Sequence, residues 1–176
     1  MRAAHGRRAE ETIRQVAPLL NAADEALALG ARESNTAEGV YTVPGASELL
    51  CKLPPDSWAI VTSGLRDVAE FRLKITGLPL PNVMVCGDDV STGKPDPACY
   101  IAGAMQLGVL PRECVVVEDA PSGIAAALAA GMRVLAVTAT YAAEELLAAT
   151  HVVGSLQQLR IQSQADHLRI HVRSPS

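Results

Sequence analysis

Aromatic side chains make up only 3% of this chain: one Trp, one Phe and three Tyr. With so few stacking surfaces, no cluster of Lys and Arg, and a formal net charge of −4, nucleic acid is excluded as the expected partner. No Cys-x-x-Cys pair occurs. Cys51, Cys86, Cys99 and Cys114 stand apart in apolar surroundings, so they read as reduced thiols of a cytosolic protein rather than disulfides or a zinc site. No stretch reaches the roughly 18 uncharged apolar residues of a membrane span, and no signal-peptide core follows the start. The expected location is cytoplasmic, with no membrane partner. Phosphate loops of the Gly-x-Gly-x-x-Gly or Walker type are also missing, which disfavours an ordinary nucleotide-binding domain.

What the chain does have is apolar mass: 49% of its 176 residues are hydrophobic, enough for one core and a remnant of a second unit. Two helices are expected over residues 7–31, from the spacing of Ile13, Val16, Leu19 and Leu20 and then Ala26, Leu27 and Leu29 before Gly30. A polar, turn-rich linker follows to Val43. From Pro44 on, helical and strand patterns alternate: a helix from Ala46 to Lys52, strands near 58–62, 83–86, 114–118 and 133–137, a short strand at His151–Val153, a helical turn at Leu156–Leu159 and an edge strand near Leu168–Val172. Such alternation predicts an α/β fold with a parallel sheet and right-handed crossovers. The expected division is residues 1–43 and residues 44–176.

The most informative stretch is Val115-Val116-Val117-Glu118-Asp119-Ala120-Pro121. Its valines predict a strand buried on both faces. Pro121 suits the first turn of a helix, and Gly131 is a left-handed stop for the alanine-rich run that follows. Glu118 and Asp119 thus sit at the carboxyl end of a strand, the edge where open α/β sheets bind ligands. Adjacent carboxylates repel unless a cation or water intervenes, and hard oxygen donors suit Mg²⁺. A solvated acidic turn at a helix start is the other reading of the same residues.

Two more strand ends carry polar groups. Trp58-Ala59-Ile60-Val61 runs into Thr62-Ser63-Gly64, which is either a helix cap or, with its hydroxyls and open amides, a phosphate seat. Val83-Met84-Val85-Cys86 is followed by Gly93-Lys94-Pro95-Asp96-Pro97. The two prolines stiffen that loop, Asp96 caps the next helix, and Lys94 is either a point charge for an anion or a solvated loop lysine. Asp88-Asp89, between that strand and Lys94, reads as a solvated or capping pair.

In this order the three motifs resemble the haloacid dehalogenase (HAD) superfamily of phosphatases, nearest its small sugar- and polyol-phosphate phosphatases. His5-Gly6-Arg7-Arg8 resembles part of their helical cap, and the likeness covers roughly residues 5–140. The resemblance implies a Rossmann-like parallel sheet with helices on both faces and a cap remnant in residues 1–43. It also implies a hydrogen bond from Thr62 to a phosphoryl oxygen, backbone amides from Ser63 and Gly64, charge neutralisation by Lys94, and Mg²⁺ held by Glu118 and Asp119 directly or through water. Arg7 and Arg8 would select substrate, or act only as solvated helix charges. The implied ligand is a small phosphorylated metabolite.

One departure accompanies the match. Relatives begin with a hydrophobic strand and Asp-x-Asp-x-Thr, whose first Asp is the nucleophile and whose second is the general acid and base; no such motif occurs in this sequence. Loss of a nucleophile costs roughly 10⁴ to 10⁶ in rate. The expectation is therefore a truncated phosphatase, weak or inactive as it stands. The alternative is a dead relative that binds a phosphorylated ligand or a partner through the surviving site. The first strand of the family lies between those near 58–62 and 114–118. Its absence predicts that these two strands pair directly, that a second copy covers the gap, or that the chain is a fragment.

Overall fold

The computed structural model describes residues 5–164 and 167–173; residues 1–4 of the expected first segment and 174–176 of the second lie outside it. Helices α1 (Ala9–Val16) and α2 (Ala22–Glu33) pack on each other, and α2 also touches α4 (Arg66–Thr76). Asn21 starts α2 by accepting the backbone N–H groups of Ala23 and Asp24. The helix runs past the expected end at residue 31, because Gly30 is not used as a stop. Gly30 instead faces Leu65, where a Cβ would lie 2.4 Å from Cδ1.

The remaining elements alternate as the sequence predicts. They are α3 (Ala46–Leu50), β1 (Ala59–Val61), α4, β2 (Val83–Val85), α5 (Ala98–Leu107), β3 (Val115–Glu118), α6 (Pro121–Ala129), β4 (Arg133–Val137) and β5 (His151–Val153). A single 3₁₀ turn at Leu156–Gln158 leads into β6 (Leu159–Ser163) and β7 (Leu168–Val172). Helix α6 begins at Pro121, and Gly131, just beyond its end, has φ 77°, the left-handed conformation that glycine adopts without a Cβ penalty.

The parallel sheet is divided. β1 pairs with β2, and β3 with β4 and β4 with β5, all parallel; β1 and β3 share no ladder. Direct closure of the strands near 58–62 and 114–118 was one expected repair, and it is not made. A cleft of about 1030 Å³ separates them, lined by Ala59 and Val61 on one side and Val115, Val116 and Val117 on the other. Val117 retains 42% exposure, whereas the valine run predicted burial on both faces. Burial of a central strand needs a neighbour on each edge, and here one edge is open.

Three clusters hold the layers together. Val85, Tyr100, Ala104, Val116, Ile124 and Val134 form the largest, where α5 and α6 cover one face of both half-sheets. Leu73, Met84 and Cys86 fix α4 to the other face of β1–β2. The second face of β3–β4–β5 is covered differently: Leu135, Val137 and Val153 pack with Leu159 and Ile170 of the antiparallel β6–β7 hairpin and with Leu49 of α3. The expected lone edge strand at 168–172 is one arm of that hairpin. Its partner, β6, was missed because Leu159-Arg160-Ile161-Gln162 alternates over too few residues to stand out.

Candidate active site

The carboxyl ends of the parallel strands meet at Lys94. Its side chain is only 5% exposed and that of Glu118 is 8% exposed; Nζ lies 2.6 Å from Glu118 Oε1. The ammonium also donates to the Tyr100 hydroxyl at 3.0 Å and to the Val61 carbonyl at 3.4 Å, so it touches the ends of both half-sheets. Tyr100 in turn donates to Glu118 Oε1 at 3.0 Å. The other carboxylate oxygen, Oε2, accepts the amides of Asp119 at 2.7 Å and Ala120 at 2.9 Å. Gly123 makes room for this carboxylate: a Cβ there would sit 1.8 Å from Oε1.

Electrostatics follow from that packing. Burial alone would raise the Glu118 carboxyl, but the Lys94 charge, its hydrogen bond and the two amides outweigh burial and hold it below the usual carboxylate value. The Tyr100 phenol is pushed upward, first by burial and then by the Glu118 charge, so it remains a neutral donor. Both oxygens of Glu118 are committed to protein donors. Asp119 is the more available carboxylate. Its Oδ2 accepts the Thr140 hydroxyl and lies 3.2 Å from His5 Nε2.

The Thr62-Ser63-Gly64 segment does not cap α4, one of its two expected roles. Thr62 Oγ1 accepts the Gly64 amide at 3.1 Å, while the first amide of α4, that of Arg66, goes to Asp88 Oδ1 at 3.2 Å. Ser63 donates to the Gly6 carbonyl at 2.8 Å. Gly6 has φ 81° and lies so close to the α6 turn that a Cβ would be 2.7 Å from both Ala120 Cβ and Ser122 Oγ. His5-Gly6 therefore bridges the loop after β1 and the turn after β3.

The two arginines behave differently. Arg8 donates to the Ser91 carbonyl at 2.9 Å, and Glu11 of α1 accepts the Gly93 amide at 2.8 Å, so α1 grips the loop that carries Lys94. Arg7 bonds Gln15 along its own segment. Asp96 caps α5 by accepting the Ala98 amide, as its position predicted. Asp88 and Asp89 serve Arg66: Asp89 accepts its guanidinium at 2.6 Å and also the Cys86 amide. With Cys86 they could hold a cation, but that thiol is pushed up to about 11 by burial. All four cysteines are free.

Tyr100, His5 and Thr140 contribute to this cluster without having been given roles from sequence. Thr140 follows the end of β4, so the strand-end rule that flagged Thr62 applies to it equally. Tyr100 lies six residues after Lys94 and shows itself only when α5 turns it back toward the ammonium.

The comparisons extend this geometry. Hexitol phosphatase A of Escherichia coli (strain K12) is 46% identical over 75% of this chain, which spans 62% of that protein's length. The 2-deoxyglucose-6-phosphate phosphatase 1 of Saccharomyces cerevisiae (strain ATCC 204508 / S288c) is 34% identical over 97% of the chain and 80% of its own length. Among solved structures, a mutant of CbbY from Rhodobacter sphaeroides in complex with xylulose-(1,5)bisphosphate superposes with a TM-score of 0.76 at 25% identity, covering 88% of this chain and 76% of that one. Residues 1–137 match the model of the haloacid dehalogenase-like hydrolases, and with the order of strand ends around Lys94, Glu118 and Asp119 this makes the chain a member of that family.

Proposed function

We propose that this chain carries the phosphate- and metal-binding half of a phosphatase acting on small phosphorylated sugars or polyols. The observation that carries the reading is the buried Lys94 ammonium at the carboxyl ends of β1 and β3, locked to Glu118 beside Asp119 and one residue from Thr62. The printed activities of the relatives support the substrate class.

Roles follow from the hydrogen bonds. Lys94 stabilises negative charge next to the phosphoryl group. Glu118 positions Lys94 and, with both oxygens engaged, acts on a cation only through water. Asp119 is the direct ligand; hard carboxylate oxygen fits Mg²⁺ in kind, and one such ligand with several waters is a usual arrangement for that ion. Bound there, Mg²⁺ would offset charge repulsion against a phosphate monoester. Thr62 and the amides of Ser63 and Gly64 seat the phosphoryl oxygens, with the Gly64 amide exchanging its internal bond to Thr62 Oγ1 for the ligand. Residues 1–43 form the cap segment, where Arg7 would exchange its bond to Gln15 for substrate and Arg8 anchors α1. Free thiols throughout fit a reducing compartment, and a cytoplasmic setting belongs to this reading.

None of the described carboxylates is assigned as a nucleophile: Glu118 is spent on Lys94, Asp88 and Asp89 on α4 and Arg66, and Asp119 on Thr140 and the proposed cation. The purified chain should therefore bind inorganic phosphate in the presence of Mg²⁺ while releasing phosphate from hexitol phosphates and 2-deoxyglucose-6-phosphate at background. Phosphate titration by calorimetry should show binding that Asp119→Asn weakens at least tenfold when Mg²⁺ is present. Turnover at about 1 to 10³ per second that disappears in Asp88→Asn or Asp89→Asn would overturn the assignment of roles.

A further inference from the structure

The β6–β7 hairpin turns one face to the parallel sheet and the other to solvent. Leu159 and Ile170 pack against Leu135, Val137 and Val153, so the alternation of side chains sends Arg160 and Gln162 of β6 and Arg169 and His171 of β7 the other way, where all four are exposed. The register gathers charges that are scattered in sequence: Arg160 stands opposite His171 and Gln162 opposite Arg169, and the Arg173 amide donates to the Gln158 carbonyl just beyond. Arg8, Arg14, Arg66 and Arg72 each form an ion pair, whereas Arg160, Arg169 and Arg173 form none among the described residues. Residues 146–176 carry three of the chain's 15 Lys and Arg but one of its 19 acids. A positive face thus stands on a chain that is otherwise negative.

Like charges gathered on one face of a sheet repel one another, and an anion seated among them relieves the repulsion. The planar fork of arginine pairs with a carboxylate through two parallel hydrogen bonds. Spacing then selects how the carboxylates are arranged. Arg169 and Arg173 occupy the two diagonals of Arg160 across the hairpin, and diagonal neighbours lie roughly 7–8 Å apart. Alternate side chains of an extended strand are roughly 6.8 Å apart, so three acids at alternate positions match the three arginines. We infer that the outer face of the β6–β7 hairpin is a docking surface for an extended acidic segment of another protein, with carboxylates at three alternate positions. Nucleic acid suits the face less well, because no Trp, Tyr or Phe stands on it for bases to stack on and the rest of the chain is acidic. A second copy offering its acidic side would make a contact between unlike surfaces, which does not close a dimer. The inference is independent of the phosphatase reading, because it uses no residue around Lys94.

A capped, fluorescein-labelled peptide Ser-Glu-Ser-Glu-Ser-Glu-Ser, titrated with the full chain at low salt, should show a saturable rise in anisotropy. Salt at about 1 M, where the screening length is about 3 Å, should remove it. Arg160→Gln combined with Arg169→Gln should weaken binding at least tenfold. Arg32→Gln combined with Arg112→Gln, an equal loss of charge elsewhere on the surface, should change it less than twofold. Both double variants should keep the parent's thermal midpoint, since all four side chains are exposed. A second peptide, Ser-Ser-Glu-Glu-Glu-Ser-Ser, has the same charge but turns its middle carboxylate to the opposite face, and it should bind several-fold more weakly; this comparison needs no variant. No anisotropy change up to millimolar chain, equal losses in the two double variants, or equal binding of the two peptides would overturn the inference. So would tighter binding of a single-stranded oligonucleotide of equal charge, which assigns the face to nucleic acid. Self-association of the chain that Arg160→Gln with Arg169→Gln abolishes would overturn it too, since that outcome assigns the face to a second copy.

Discussion

Two acidic pairs follow valine-rich strands, and they meet opposite fates. Glu118-Asp119 ends β3 beside a buried lysine, with Lys94 and Glu118 side chains only 5% and 8% exposed. Asp88-Asp89 follows β2, where Asp89 meets Arg66 with both side chains more than a third exposed, at 38% and 35%. The separations are equal at 2.6 Å, so distance does not distinguish them. Solvent does. Water screens the Arg66 pair and offers each charge an alternative partner, whereas the Lys94 pair has, among the described residues, Tyr100, the Val61 carbonyl and two amides as its further partners.

The largest expected effect comes from breaking the buried pair on one side. Glu118→Gln leaves the ammonium buried without a counter-charge and should cost about 3–5 kcal/mol, measured by chemical denaturation. Adding Lys94→Met in the same chain should restore stability to within about 1 kcal/mol of the parent, because two neutral groups of similar shape replace a buried pair at little net cost. Failure of the double variant to recover would place the importance of Lys94 in packing rather than charge.

Gly123→Ala comes next. The new Cβ would overlap the Glu118 carboxylate, at 1.8 Å from Oε1, and overpacking of this kind costs typically about 1–3 kcal/mol. A lowered thermal midpoint should appear together with the loss of any phosphate binding, since the carboxylate can only move by releasing Lys94.

A smaller effect separates the pairs by pH. The folded-state pKa of Glu118 lies below its ordinary value of 4.5, so its contribution to stability is present above about pH 4.5 and is lost as pH falls toward the folded value. The unfolded chain takes up the proton first. Denaturation midpoints of the parent should therefore fall on acidification below that point, and the Glu118→Gln variant should show a shallower acid limb. Smallest of all, Asp89→Asn should cost no more than about 1 kcal/mol, as for other exposed pairs; a loss comparable to Glu118→Gln would erase the distinction drawn between the two sites.

Sequence separated the two acidic pairs by their place in the motifs, reading Glu118-Asp119 as metal ligands and Asp88-Asp89 as a solvated or capping pair, but the physical reason for the difference was not legible. The strand ends, Pro121 at its helix start, Asp96 as a cap and Gly131 as a stop depend on local backbone chemistry and were readable in order. The family motifs placed Lys94, Glu118 and Asp119 on one edge. What could not be read was burial: whether an acid is screened depends on which helix crosses above it, and Tyr100 becomes a partner only through the path of α5. The open edge of β3 was legible only as a missing neighbour. That β1 and β3 stay apart, with Lys94 spanning both, is a tertiary outcome. The role of Asp88 at the start of α4 was half-legible, since a capping acid was expected but not twenty-two residues from the amide it serves.

The grip of the α1 segment on the loop before Lys94 runs through one backbone amide and one backbone carbonyl. Gly93 donates to Glu11, and Ser91 accepts from Arg8, so the segment leading to the Lys94 ammonium is held from outside the sheet by the first helix and the residue that precedes it. Were α1 displaced, Gly93 would lose its acceptor and the approach to Lys94 would loosen. Under the proposed phosphatase reading, the position of this one helix would set both access to the site and the stiffness of the loop that carries its cation.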